Sequence, residues 1–187
     1  VDYAFGNISI PAGGYFCVVQ DPAKFSTTWP AAAANSAGPW VGKLANSGET
    51  IELRDASGAL VTAVDYGEGF PWPSASRGAG PSMELLHPSL DPGLGGSWRR
   101  APTVPTPGAV NAAKLATYSA APPAIRQVNH TPQQRTSNTA VPVTATVTDP
   151  DGVSSVMLRY QIVVPGSYIR KADAAFTAAA SWIDLPM

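Results

Sequence analysis

Ile51 and Leu53 alternate with Glu52 and Arg54, and beyond the turn residues Asp55-Ala56-Ser57-Gly58 the run Leu60, Thr62, Val64, Tyr66 keeps the same period of two. Side chains of a strand point alternately to its two faces, so the pattern commits residues 46–72 to a half-buried β-hairpin followed by an aromatic lid. Ile51, Leu53, Leu60, Val64 and Tyr66 are then the inward side chains, and Glu52 and Arg54 form a solvated face.

The flanking sequence is punctuated to the same end. With 19 prolines and 17 glycines among 187 residues, long helices are interrupted and short strands joined by turns are favoured. A hydrophobic fraction of 44% against 13% charged residues can fill a core, so an all-β globular chain of one large or two small domains is expected. The 12 basic and 13 acidic side chains form no block, which gives no field to draw nucleic acid. No apolar run approaches the ~20 residues that span a bilayer, so direct membrane insertion is not expected. Val1 opens in strand-like sequence, and an export signal is expected upstream of it. Cys17 is alone, cannot form an internal disulfide, and reads as an inert thiol within the apolar run Tyr15–Val19.

In chain order, Val1–Ile10 reads as a strand with Tyr3 and Phe5 on one face, a Gly6-Asn7 turn and a short extended piece, and Tyr15–Gln20 as a strand covered on both sides. Asp21-Pro22 offers an N-cap and a first-turn proline for one helical turn over Ala23–Phe25. Ala31–Ala34 reads as loop, between Pro30 and the Asn35–Pro39 turn residues. Trp40–Leu44 is a short strand entering the hairpin, and residues 67–80 make an irregular crossing in which Phe70 and Trp72 cover one end of a sandwich. Met83–Leu86 is a further short strand, and Ser97–Arg99 returns to the body of the domain. The Ala- and Pro-rich stretch 113–123 is a stiff linker between a first domain, 1–112, and a second, 124–187. In the second, Ile125–Val128, Val141–Val147 and Val156–Ile162 read as strands, with Asp149-Pro150-Asp151-Gly152 as the turn between the last two. Their spacing is that of an immunoglobulin- or fibronectin-type sandwich, of which this is an incomplete part.

The segments IPAGGYFCVV, SGETIELRDASGALVTAVDYG, PWP, GPSMELLHPSLD, SWR and TPGAVN, in this order and spacing, resemble the lamin tail domain in the version found in large secreted or surface proteins of bacteria. The resemblance spans nearly all of residues 1–111 and implies an immunoglobulin-like β-sandwich. VTATVTDPDGVSSVMLRY is similar to the immunoglobulin- or fibronectin-like modules that often follow such a domain, sometimes beside a kinase-like region of the spore-coat-protein-H type. The family's domain usually opens with an earlier strand pair that nothing before Val1 supplies, so the first sandwich is expected to lack its first strands. No heptad pattern of the lamin rod appears, and nuclear filament assembly is not implied.

The groups that could carry chemistry have plainer readings. His87 and His130 lie in different proposed domains beside turn residues, with no Cys or second His at ligand spacing. Ser89 and Asp91 near His87 lack a G-x-S-x-G elbow and read as turn chemistry. Asp149 and Asp151, with Asp65, Glu68 or Asp55, are the calcium candidates, although D-P-D-G lacks the spaced acidic ligands of a complete loop. Glu49 with Glu52, or Glu68 with Asp65, read as outward strand charges before a glycosidase pair. Trp40, Trp72 and Trp98 read as plugs at the sandwich ends, which leaves Trp29 and Phe70 as the candidate exposed contacts. No cofactor is called for.

The expectation is a non-enzymatic structural or interaction module of a larger extracellular or cell-surface bacterial protein, with a protein or cell-surface polymer as partner. Its rivals are a carbohydrate-binding module and an accessory domain of a kinase-like protein.

Overall fold

The computed structural model describes residues 1–73, 80–134, 136, 138–167, 169–170, 172–178 and 182–187; the 74–79 part of the expected crossing lies outside them. The chain divides into two compact units, Val1–Asp151 and Gly152–Met187.

The first unit holds strands β1 (Cys17–Val18), β2 (Ser36–Ala37), β3 (Gly48–Arg54), β4 (Leu60–Gly67), β5 (Met83–Leu85), β6 (Trp98–Arg100), β7 (Ala124–His130) and β8 (Val143–Thr148), with two short helices, α1 (Pro22–Thr28) and α2 (Pro30–Ala33). Each sheet has two strands: β1 pairs with β2 in parallel, and β3–β4, β5–β6 and β7–β8 are antiparallel. The expected β-rich class is what forms. Several expected strands shrink or disappear, however. Of Tyr15–Gln20 only Cys17–Val18 is strand, and Val1–Ile10 and Trp40–Leu44 contribute only an isolated bridge between Asp2 and Val41.

The helices are longer than expected for local reasons. Asp21 is extended and its Oδ1 accepts the Lys24 N–H at 2.9 Å, while Pro22 supplies a preset first-turn φ. Thr27 and Thr28 hydroxyls then bond back to the Ala23 and Lys24 carbonyls. Pro30 starts a second turn as the first residue of α2, so the alanine run expected to be loop is helical through Ala33.

The hairpin forms as its period demands. Asp55 Oδ1 accepts the N–H groups of Ser57 and Ala59, both at 2.9 Å, and the Ser57 hydroxyl at 2.6 Å, which closes the turn; Gly58 sits there at φ +84. Direct partners share a face, so Glu49–Tyr66, Ile51–Val64 and Leu53–Thr62 line one side and Thr50–Asp65 and Glu52–Ala63 the other. An irregularity between Leu53 and Arg54 sets Arg54 opposite Leu60 and leaves Val61 as the extra residue, which turns Leu60 away from the face of Ile51. The expected inward set is also less covered than a sandwich requires, since Ile51, Leu53 and Leu60 are 36%, 41% and 53% exposed.

The core is correspondingly thin. Val19, Ala32, Leu86, Ala101 and Ala121 are its buried apolar side chains, and among the described residues no large side chain is fully enclosed.

In the second unit, β9 (Met157–Tyr160) pairs antiparallel with β10 (Ile183–Pro186), and α3 (Ala174–Thr177) lies between them in sequence. Opposed Arg159 and Asp184 meet in a two-pronged ion pair at 2.7 and 2.9 Å, and the Phe176 and Trp182 rings meet edge to face at 5.2 Å.

Candidate functional site

A groove of about 640 Å³ lies beside the hairpin, lined by Tyr3, Phe5, Trp40, Leu44, Ile51 and Leu53 among others. Among the described residues β3 has no strand neighbour other than β4, so its outer backbone edge is open beside this groove. The mouth of the hairpin is pinned at the same place. Glu49 Oε1 accepts the Ala45 N–H at 2.9 Å and the Tyr66 hydroxyl at 3.1 Å, and that hydroxyl also donates to the Ala45 carbonyl at 2.7 Å. The Ala45 N–H, aided by the Tyr66 hydroxyl, holds the Glu49 carboxyl below its usual range, and burial followed by the nearby Glu49 carboxylate raises the Tyr66 phenol.

A second groove, about 400 Å³, runs along α1 and is lined by Gln20, Asp21, Lys24, Phe25, Trp29 and Trp40 among others. The capped helix brings Phe25 and Trp29 to one side, four residues apart. Trp29, expected as an exposed contact, is thus half-buried within an aromatic trough. Phe70 stands 87% exposed just beyond β4.

The other tryptophans differ in how their N–H groups are satisfied. Trp98 Nε1 donates to the Pro92 carbonyl at 2.9 Å, and its ring lies 6.2 Å from that of Trp72, which packs against Gly95. Trp40 Nε1 is buried with no hydrogen-bond partner. An unpaired buried donor costs about 1–3 kcal/mol, so Trp40→Phe is expected to stay within about 1 kcal/mol of wild type despite the smaller ring. Trp98→Phe loses a made bond and is expected to cost about 1–2 kcal/mol more than Trp40→Phe. Urea midpoints of the two variants compare them.

The calcium candidates stand side by side. The Asp151 N–H lies 3.3 Å from Asp149 Oδ1, and the hydrogen bond and charge of Asp149 raise the Asp151 carboxyl. A raised carboxyl contributes stability that is present below the ordinary aspartate range and lost as pH climbs through the folded value. Asp55 has the opposite sign. The Ser57 hydroxyl and then the Ala59 N–H lower it, so its contribution holds above the ordinary range and fades as pH falls. Asp149→Asn is expected to bring the Asp151 titration down towards ordinary aspartate, read by carboxyl carbon NMR. A cavity of about 140 Å³ beside Asp149 is lined by Asp91 and Tyr118 among others. Asp91 Oδ1 already accepts the Gly93 N–H at 2.8 Å. Among the described residues no three His, Cys, Asp or Glu side chains gather as a metal would need.

His87 is engaged locally. Its Nδ1 accepts the Ser89 backbone N–H at 3.1 Å and its ring lies 5.9 Å from that of Tyr118, so the histidine shapes the turn and does not face the Ser89 hydroxyl as a base would. His130 Nδ1 lies 3.3 Å from the Pro132 carbonyl oxygen on an exposed strand end.

Sequence reasoning passed over Glu84, which is only 4% exposed. Its Oε2 accepts the Ala113 N–H at 2.8 Å and its Oε1 the Ser82 hydroxyl at 3.3 Å. Alongside it, Asn111 Nδ2 donates to the Leu85 carbonyl and the Leu115 N–H to the Leu86 carbonyl. The segment after the TPGAVN motif is thereby strapped over β5. Among the described residues no helix is long and apolar enough to cross a membrane. No family model matches the chain, and no curated protein or solved structure matches it.

Proposed function

We infer that this chain is a non-catalytic interaction module of a larger exported bacterial protein, built on an immunoglobulin-like sandwich of the lamin-tail kind with part of a second β module behind it. The carrying observation is the apolar surface left open around the central hairpin: Ile51, Leu53, Phe5 and Leu44 are each more than a third exposed beside one groove. Exposed apolar side chains around a concavity suit contact with a partner better than bond-breaking chemistry. The exported setting rests on the lamin-tail resemblance. Sedimenting the purified chain with isolated bacterial envelope and wall polymer is expected to give saturable retention. Absence of retention on every fraction, or turnover of any wall glycan or peptide, overturns the reading.

The trough along α1 favours a second reading, a carbohydrate contact. Phe25, Trp29 and Trp40 supply aromatic faces, and Gln20, Asp21 and Lys24 supply the polar groups that fix a sugar's hydroxyls. Tryptophan fluorescence during glycan titration separates the two: a saturable change lost in Trp29→Ala supports the sugar site, and no response to any glycan rejects it.

A further inference from the structure

We propose that the outer edge of β3 is a self-association site, where two copies pair β3 to β3 antiparallel about a two-fold axis and join two hairpins into a four-stranded sheet. The proposal rests on the reading of the chain as an interaction module and names its partner as a second copy.

Three observations carry it. First, the edge is free and regular. Among the described residues β3 pairs with β4 alone, its residues from Thr50 to Arg54 are exposed, and the register irregularity of the hairpin falls where Val61 of β4 is extra, so β3 can accept a partner along its length.

Second, the strand is self-complementary. An isologous antiparallel pair centred on Ile51 is the register that uses all seven residues of β3. It sets Ile51 against its own copy, Leu53 against Glu49, Thr50 against Glu52 and Gly48 against Arg54, with no like charges directly opposed. Ile51 and Leu53 of the second copy fall on the side where Phe5, Trp40 and Leu44 line the groove.

Third, an apolar patch flanks the edge. Val1, Phe5, Leu44, Ile51 and Leu53 are 48%, 49%, 44%, 36% and 41% exposed. Together they leave roughly 400 Å² of apolar surface per copy, at the size of the largest patch on a typical monomer. Two copies supply about 800 Å² before the backbone edge and the Thr50, Glu52 and Arg54 side chains are added, against the roughly 1,200 Å² at which stable interfaces begin.

Analytical ultracentrifugation of the whole chain from about 1 to 200 µM is the test, a range that brackets micromolar association. A reversible monomer–dimer equilibrium is expected. Ile51→Lys sets two ammonium groups against each other at the axis and is expected to weaken dimerisation at least tenfold, with unchanged circular dichroism. Ile51→Cys is expected to form an intermolecular disulfide on mild oxidation, identified by mass spectrometry as residue 51 joined to residue 51. Opposed strand residues stand about 4.5–5.5 Å apart at Cα, within disulfide reach. The cross-link keeps the test decisive even where Ile51→Lys fails to fold. A monomer at every concentration, a dimer without the 51–51 cross-link, or a folded Ile51→Lys variant that dimerises as before overturns the proposal. A monomer that still binds envelope material overturns self-pairing alone and leaves the interaction-module reading standing.

Discussion

Replacing Glu84 with alanine is expected to destabilise the first unit by about 3 kcal/mol, the cost of removing a buried charged acceptor from its donors. Glu84 is 4% exposed and its carboxylate is what the Ala113 N–H meets at 2.8 Å. Without it that N–H and the Ser82 hydroxyl lose their acceptor, and a void opens next to Leu86 and Ala101, two of the few buried apolar side chains. Glu84→Gln keeps the shape and one carbonyl acceptor, so about half the loss is expected. Denaturant midpoints at unchanged m-value measure both. If Glu84→Ala melts as wild type does, the segment after Asn111 is not held down by this carboxylate.

Glu84 also marks where the sequence stops being legible. By period two, Met83-Glu84-Leu85-Leu86 puts charged Glu84 and apolar Leu86 on one face, so alternation alone does not say which face is inward. The structure buries both and leaves Met83 and Leu85 half-exposed. The reason is non-local. Residues 111–115 fold back over β5: the Ala113 N–H satisfies the carboxylate, the Asn111 side-chain amide donates to the Leu85 carbonyl and the Leu115 N–H to the Leu86 carbonyl. A donor supplied 29 positions away leaves no mark on local periodicity.

The hairpin behaved otherwise. Its alternation, its Asp-Ala-Ser-Gly turn and its charged face all follow from neighbours in sequence, and all form. What failed there was the inference from alternation to burial. Alternation says that Ile51, Leu53 and Val64 share a face, and burial depends on what another segment lays over it. The strands expected over Val1–Ile10 and Trp40–Leu44 reduce to one bridge, and the face of Ile51 and Leu53 borders a groove. Trp29 was legible in the same partial way: Asp21-Pro22 signals the helix, but the trough it forms with Trp40 requires the chain to return.

Gly48→Ala is expected to cost about 3 kcal/mol and to loosen the hairpin mouth. Gly48 opens β3 at φ +110, a conformation that L side chains rarely adopt, and directly faces Gly67. A methyl group there would fall onto the Tyr66 carbonyl oxygen and within 3.0 Å of Gly67 Cα, both backbone atoms that cannot rotate aside. Relief requires β3 and β4 to part at this end. That end also holds the Ala45–Glu49–Tyr66 cluster, so the Tyr66 hydroxyl would lose its hold on the Ala45 carbonyl. The readouts are therefore two: a lower denaturant midpoint, and a Tyr66 phenol whose titration falls from its raised position towards that of free tyrosine as its burial and its contact with Glu49 are lost. A variant less stable by this amount that kept the raised Tyr66 would place the strain elsewhere than the strand mouth. The outer edge of β3 begins at the same glycine, so a parted mouth would also shorten the strand available for pairing with a second copy, and Gly48→Ala is expected to weaken association along with stability.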